Sequence, residues 1–185
     1  MRLPDRAEAI EMLWEAGCPR NVVEHCIKVA SLAVEIAEAM RERGVKVGLR
    51  LVEVGAILHD IGRSRTHGVE HGVVGGRIVR KMGLPEEVAR IVERHVGAGI
   101  TLEEAVKLGL PPEDYTPKTL EEKIVCYADK LIEGERRVDL EETIHKFSQE
   151  LGEDHPSLKR LRALQEEIIK LAGGKNFIET SIKAS

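Results

Sequence analysis

Aromatic side chains are nearly missing: Phe, Tyr and Trp together make up 3% of the 185 residues. A surface built on successive stacked bases is therefore poorly supplied. Cysteine is scarce as well. Cys18, Cys26 and Cys126 form no C-x-x-C pair, and an odd number gives no disulfide framework. A reduced, cytoplasmic compartment fits. No apolar run approaches the roughly 18 residues of a membrane span, and MRLPDRAEAIEML is amphipathic rather than signal-like. Asn and Gln are rare beside Glu, Lys and Arg, a bias of thermophile proteins. Positive charge is not in excess: the formal charge of −4 offers no general affinity for a polyanion. Nucleic-acid contact would need a local basic patch, and the run Arg77, Arg80, Lys81 reads as a solvated face. What is present is 42% hydrophobic and 32% charged residues, the composition of a soluble globular protein. The length corresponds to one domain at about 100–200 residues each. Histidine stands out, with 7 residues.

Nearly every segment reads as helix. Asp5-x-x-Glu8, Thr101-x-x-Glu104 and Thr119-x-x-Glu122 have the spacing of capping boxes, and Asn21-x-x-Glu24 is read as opening a long helix closed by Gly44. Leu49 to Asp60 is apolar on almost every side, as in a buried central helix, with Gly62 as its stop. Further helices are expected over about 70–82, from Pro85, and near 139–151 and 157–172, followed by a mobile tail from Gly173. No strand pattern is found. The fold class is all-α, a helical bundle.

Counting three and four residues along each helix separates the histidines. His25 neighbours Val22 and Val29, His71 shares a face with Val74 and Ile78, and His95 continues the stripe Val88, Ile91, Val92. His59 ends the central helix, and Asp129 lies on the side of Val125, Cys126 and Ile132. His67 falls in a loop, His145 points away from the Leu140–Ile144–Phe147 stripe, and His155 precedes a proline. One histidine on an apolar face is ordinarily a core residue with a single hydrogen bond. Four such histidines with Asp60 and Asp129 form a different case, because a buried carboxylate without a partner costs several kcal/mol. A divalent transition metal would satisfy all of them together. Asp60 also sits at a helix C-terminus, where the helix dipole disfavours an anion by roughly 0.3–1 kcal/mol. Either a bound cation or a salt bridge to Arg63 or Arg65 would answer that conflict.

Leu58-His59-Asp60-Ile61-Gly62 is an HDIG signature. With His25 in VEHCIKVA and Asp129 in YADK, the chain resembles the HD superfamily of metal-dependent phosphohydrolases over about residues 20–132. In length it resembles a small stand-alone archaeal type, read as one HD domain over 1–185 with an N-terminal helix and a C-terminal helical extension. The resemblance implies an HD-domain helical bundle, with His25, His59, Asp60 and Asp129 as metal ligands. His71 and His95 fall where subgroups with a two-metal site carry extra ligands. Those subgroups often have a His–His pair at the later position, whereas His95 is followed by Val96. The GYP element of the cyclic-di-GMP type is absent, and the dNTP triphosphohydrolase type is much larger.

The implied activity is hydrolysis of a phosphomonoester or phosphodiester, a nucleotide first among substrates, by metal-activated water. The rival is a metal-containing nucleotide-binding or regulatory module without turnover. Asp60 is the candidate to ligate the metal and to orient or deprotonate the water. Arg63 and Arg65 are candidates to grip phosphate oxygens, with Lys130 as a point charge. Mixed His/Asp ligation suits Mn, Fe, Co, Ni or Zn better than Mg, as one ion or two. Asp60 and Asp129 supply −2, which one divalent ion cancels. A second ion on His71 and His95 would leave about +2 for a phosphate dianion, so the count favours two ions.

Overall fold

In the computed structural model, residues 2–134 and 136–174 are described. The elements run α1 (Arg6–Glu15), α2 (Arg20–Glu42), α3 (Leu49–Leu58), a 3-10 turn (Ile61–Ser64), α4 (His71–Lys81), α5 (Glu86–Arg94), α6 (Leu102–Lys107) and α7 (Leu120–Lys130). A minute antiparallel hairpin, β1 (Ile132–Glu133) and β2 (Arg136–Arg137), precedes α8 (Leu140–Leu151) and α9 (Pro156–Ala172). The expectation of no strand is corrected there. Two-residue strands are too short to show alternation, and their turn depends on Gly134 at φ 58°.

The helix starts follow local chemistry. Asp5, Thr101 and Thr119 each accept from the backbone N–H three residues on, and Glu8, Glu104 and Glu122 return the bond. The opening of α2 is different: Pro19 precedes it, and Asn21 and Glu24 lie inside the helix. An asparagine one residue past the start cannot cap, because its own backbone is already helical. Gly173, at φ 116°, closes α9; the tail beyond residue 174 lies outside the described residues.

One apolar cluster extends from Ala9 on α1 to Ala172 on α9, through the buried faces of α2, α3 and α7. α3 supplies Val52, Val54, Ala56, Ile57 and Leu58 to it, all fully buried, which matches its nearly uniform apolar sequence. A smaller cluster around Val73, Ile100 and Tyr115 lies beneath α6. No helix among the described residues is long and apolar enough to cross a membrane.

The ends of α3, α4 and α5 meet because glycine removes the side chains that would hold them apart. α3 stops at Leu58, two residues earlier than its sequence pattern implies, and Gly62 is not its terminator. A Cβ on Gly62 would lie 1.9 Å from the His71 carbonyl oxygen, so its absence lets the 3-10 turn press against the start of α4. Gly75 does the same toward α5, where a Cβ would stand 2.6 Å from Val92.

Candidate metal centre

These helix ends carry the polar residues of the interior. His59 follows the last residue of α3, Asp60 precedes the 3-10 turn, His71 is the first residue of α4 and His95 follows α5. α2 contributes His25 and the last turn of α7 contributes Asp129.

Position at a helix end decides the tautomer. The last carbonyls of a helix lack intrahelical partners, and His59 and His95 supply them. Nδ1 of His59 is 2.6 Å from the Ala56 oxygen, and Nδ1 of His95 is 2.7 Å from the Val92 oxygen. His71 repeats the pattern with Gly68, at 2.7 Å. A carbonyl only accepts, so each Nδ1 carries the proton and the lone pair of the neutral ring sits on Nε2.

Those lone pairs converge on anions. His71 Nε2 and His95 Nε2 are 3.0 Å apart, and Asp60 Oδ1 stands 3.2 Å and 3.4 Å from them. Asp129 Oδ1 is 2.9 Å from His25 Nε2 and 3.4 Å from His59 Nε2. Asp60 Oδ2 is 3.8 Å from His59 Nε2 and accepts from Arg63 Nε at 2.8 Å. His59 Nε2 and Asp60 Oδ1 are buried without a hydrogen-bond partner. Acceptors facing acceptors in a dry interior repel, and a cation removes the repulsion. The donor set fits one: two groups, His25–His59–Asp129 and His59–Asp60–His95, each hold their ligand atoms within 4.8 Å.

A proton on His59 can do the work of a cation here: burial opposes it, but Cys26, Asp60 and Asp129 hold this imidazole well above the usual histidine range. Burial opposes the charge of Asp60, but the surrounding imidazoles of His59, His71 and His95 hold its carboxyl well below the usual carboxylate range. Asp129 is likewise held down against burial by Lys130, His25 and His59. Burial lowers His95 to about 4, which leaves it neutral.

The centre forms the floor of an open cavity of about 570 Å³. His25, Asp60, His71, His95 and Asp129 line it, and His59, with no exposed surface, lies beneath. His25 is less enclosed than its apolar neighbours imply, with 18% of its side chain exposed. Lys130 is buried, its ammonium bonded to the Asp129 carboxylate and to the His95 carbonyl at 3.3 Å. Arg63 lines the cavity while bound to Asp60.

Arg65 does not join them. Its guanidinium reaches the Ala16 carbonyl at 3.3 Å, on the other side of the 3-10 turn. In such a turn residues i and i+3 eclipse, which stacks Arg63 over Asp60 and sends Arg65 away. His67, which its loop position left out of account, lines the cavity mouth, and its carbonyl faces Arg63. Helical facing could not reveal it, since a loop has no fixed periodicity.

The family model for the HD domain matches residues 22–134, and the chain belongs to this family. An uncharacterized protein of Methanocaldococcus jannaschii is 56% identical over 154 residues, which is 83% of this chain and 91% of that protein. The tRNA (cytidine(56)-2'-O)-methyltransferase of Thermoplasma volcanium is 41% identical over 152 residues, 82% of this chain. The match spans only 44% of the methyltransferase. Among solved structures, the HD domain of the L. monocytogenes phosphodiesterase PgpH, in complex with cyclic-di-AMP, superposes with a TM-score of 0.53. The similarity covers 90% of this chain and 96% of that one at 16% identity, a likeness of fold.

Proposed function

We propose that the protein is a metal-dependent phosphohydrolase that cleaves a phosphomonoester or phosphodiester, a nucleotide first among them, by attack of water. The observation that carries this reading is the convergence of six donors on the floor of an open cavity, two of them buried and unpartnered. Family membership and the likeness to a phosphodiesterase domain support it. The methyltransferase name belongs to a protein of which the match covers less than half.

His25, His59, Asp60 and Asp129 would hold the first divalent ion, from among Mn, Fe, Co, Ni or Zn. His71 and His95, together with Asp60, would hold a second ion or meet the phosphate. A divalent ion in this position supplies Lewis acidity and lowers the pKa of water from roughly 15.7 toward about 7. The chain's own residues do the rest. Asp60, anionic at neutral pH, accepts a hydrogen bond from the attacking water and fixes its direction. Arg63 spends Nε on Asp60 and sets Nη1 against the His67 carbonyl, and offers Nη2 to phosphate oxygens. Lys130 holds Asp129 in place and adds positive charge at the cavity wall.

Charge counting changes once these pairs are included. Arg63 balances Asp60 and Lys130 balances Asp129, so one divalent ion already leaves about +2 facing a phosphate dianion. Charge therefore does not require a second ion. The favourable argument for two is the split of Asp60, whose oxygens face different histidines.

Elemental analysis of the purified protein, followed by a phosphatase and phosphodiesterase panel with each metal, tests the proposal. Hydrolysis that disappears on chelation and returns with one of the five metals is expected. Full activity after exhaustive chelation overturns it. Nucleotide binding without turnover in any metal identifies a regulatory module instead.

A further inference from the structure

A second cavity, of about 380 Å³, adjoins the metal cavity: Val96, Gly97 and Phe147 belong to the walls of both. Its character is different. Val69, Ile100, Leu108 and Leu151 add to the apolar wall, and no metal donor of the centre lines it. Part of its wall lies beyond the family match: Phe147 and Leu151 come from α8 and Arg160 from α9, while Val69, Ile100 and Leu108 fall inside it. Leu108 and Leu151 are about half exposed, at 51% and 48%, an arrangement that costs free energy unless something covers them. Arg160 lines the same space. Its Nη2 binds Gly99 and the Glu104 carboxylate, while its Nε–H is buried with no acceptor.

We propose that this annex is the subsite for the organic part of the substrate, and that it takes a flat heteroaromatic ring carried on a phosphate ester. The inference rests on the phosphohydrolase reading for its placement of the phosphate. With phosphate over the metal donors, a sugar at the Val96–Gly97–Phe147 threshold leads the ring into the annex. A ring has two apolar faces and a polar edge. The annex offers Phe147 and the leucines to the faces, and the polar side chains of Lys107, His155 and Arg160 on its wall to the edge. A sugar phosphate without a ring would leave this surface uncovered. The C-terminal helices thus contribute to specificity, while the family-matched segment carries the chemistry and the rest of the annex wall.

The test compares the four ribonucleoside monophosphates with ribose 5-phosphate, which carries the same phosphate without a base. In the metal-loaded protein kcat/KM is measured; in the metal-free protein, equilibrium dissociation constants. The best nucleotide is expected to exceed ribose 5-phosphate by about tenfold or more, the size of one base–aromatic contact. In the double variant Leu108→Glu with Leu151→Glu, that preference falls to about twofold while values for ribose 5-phosphate stay unchanged. Circular dichroism checks the fold of this variant, whose altered side chains are half exposed. Equal handling of both ligand types by the wild type, failure of both to bind, or a preference that survives the double substitution overturns the subsite. If the protein hydrolyses nothing, the phosphohydrolase reading falls, and the dissociation constants still decide whether the annex takes a ring.

Discussion

Arg94 and His95 are consecutive residues at the end of α5, and both bring polar atoms into the interior with opposite results. Arg94 meets Glu122 on α7, with one guanidinium nitrogen 2.9 Å from each carboxylate oxygen. Glu122 also accepts from the backbone N–H groups of Lys118 and Thr119, and its side chain is 2% exposed. Every charge in that cluster has its partner. His95, one residue later, presents a lone pair to the lone pairs of His71 and Asp60. Burial of ionic groups therefore does not by itself mark a functional site. Donors left facing one another do, because folding alone gives them nothing to bind.

Breaking each cluster in turn separates the two roles. Asp60→Ala should remove bound metal and lower phosphate-ester hydrolysis by about 100-fold or more, measured by elemental analysis and initial rates, with helical content intact. The metal-free variant should melt within a few degrees of the metal-free wild type, because relief of the facing acceptors is set against loss of the partly exposed Asp60–Arg63 pair. Glu122→Ala should do the reverse. It strands Arg94 in the interior, at about 3–5 kcal/mol, and a fall in Tm of about 10 °C is expected. Metal content per folded molecule should be unchanged. Loss of metal on Glu122→Ala at a temperature where the variant is folded would join the two clusters into one.

Gly62→Ala probes the packing between them. Its Cβ would drive the 3-10 turn from the His71 carbonyl, shifting a ligand without deleting one. Metal affinity should fall by about 10–100-fold, as for other changes that disturb ligand orientation. The smallest effect belongs to Arg65→Ala, within about 0.5 kcal/mol in stability and about twofold in kcat/KM. Arg63→Ala should lower kcat/KM by about tenfold or more. Equal effects of the two arginines would contradict the facing of the 3-10 turn.

That pair of arginines shows where sequence reading stops. Capping boxes at Asp5, Thr101 and Thr119 were legible because each is settled within four residues of chain. The polar donors were legible by facing, since His25, His71, His95 and Asp129 interrupt apolar stripes of regular helices. Arg63 and Arg65 could not be told apart, because an α-helical end and a 3-10 turn point side chains differently and the residues Ile61–Ser64 do not announce which forms. His67 and the apolar annex were out of reach for another reason. Their partners are brought together by packing of α4, α6, α8 and α9, with no local pattern to betray it.

The contact between His25 and Asp129 joins residues 104 positions apart. Between them lie the four remaining donors, at three places in the chain: His59 with Asp60, then His71, then His95. During synthesis the chain emerges N-terminus first, so the HDIG segment is finished long before α7 exists to complete its surroundings. An ion arriving early would find an incomplete cage; one held by both His25 and Asp129 would close a loop of this length and take conformational entropy from every unfolded arrangement of it. The metal would then act as a late clasp, one that reports that the chain has been made and folded as far as α7.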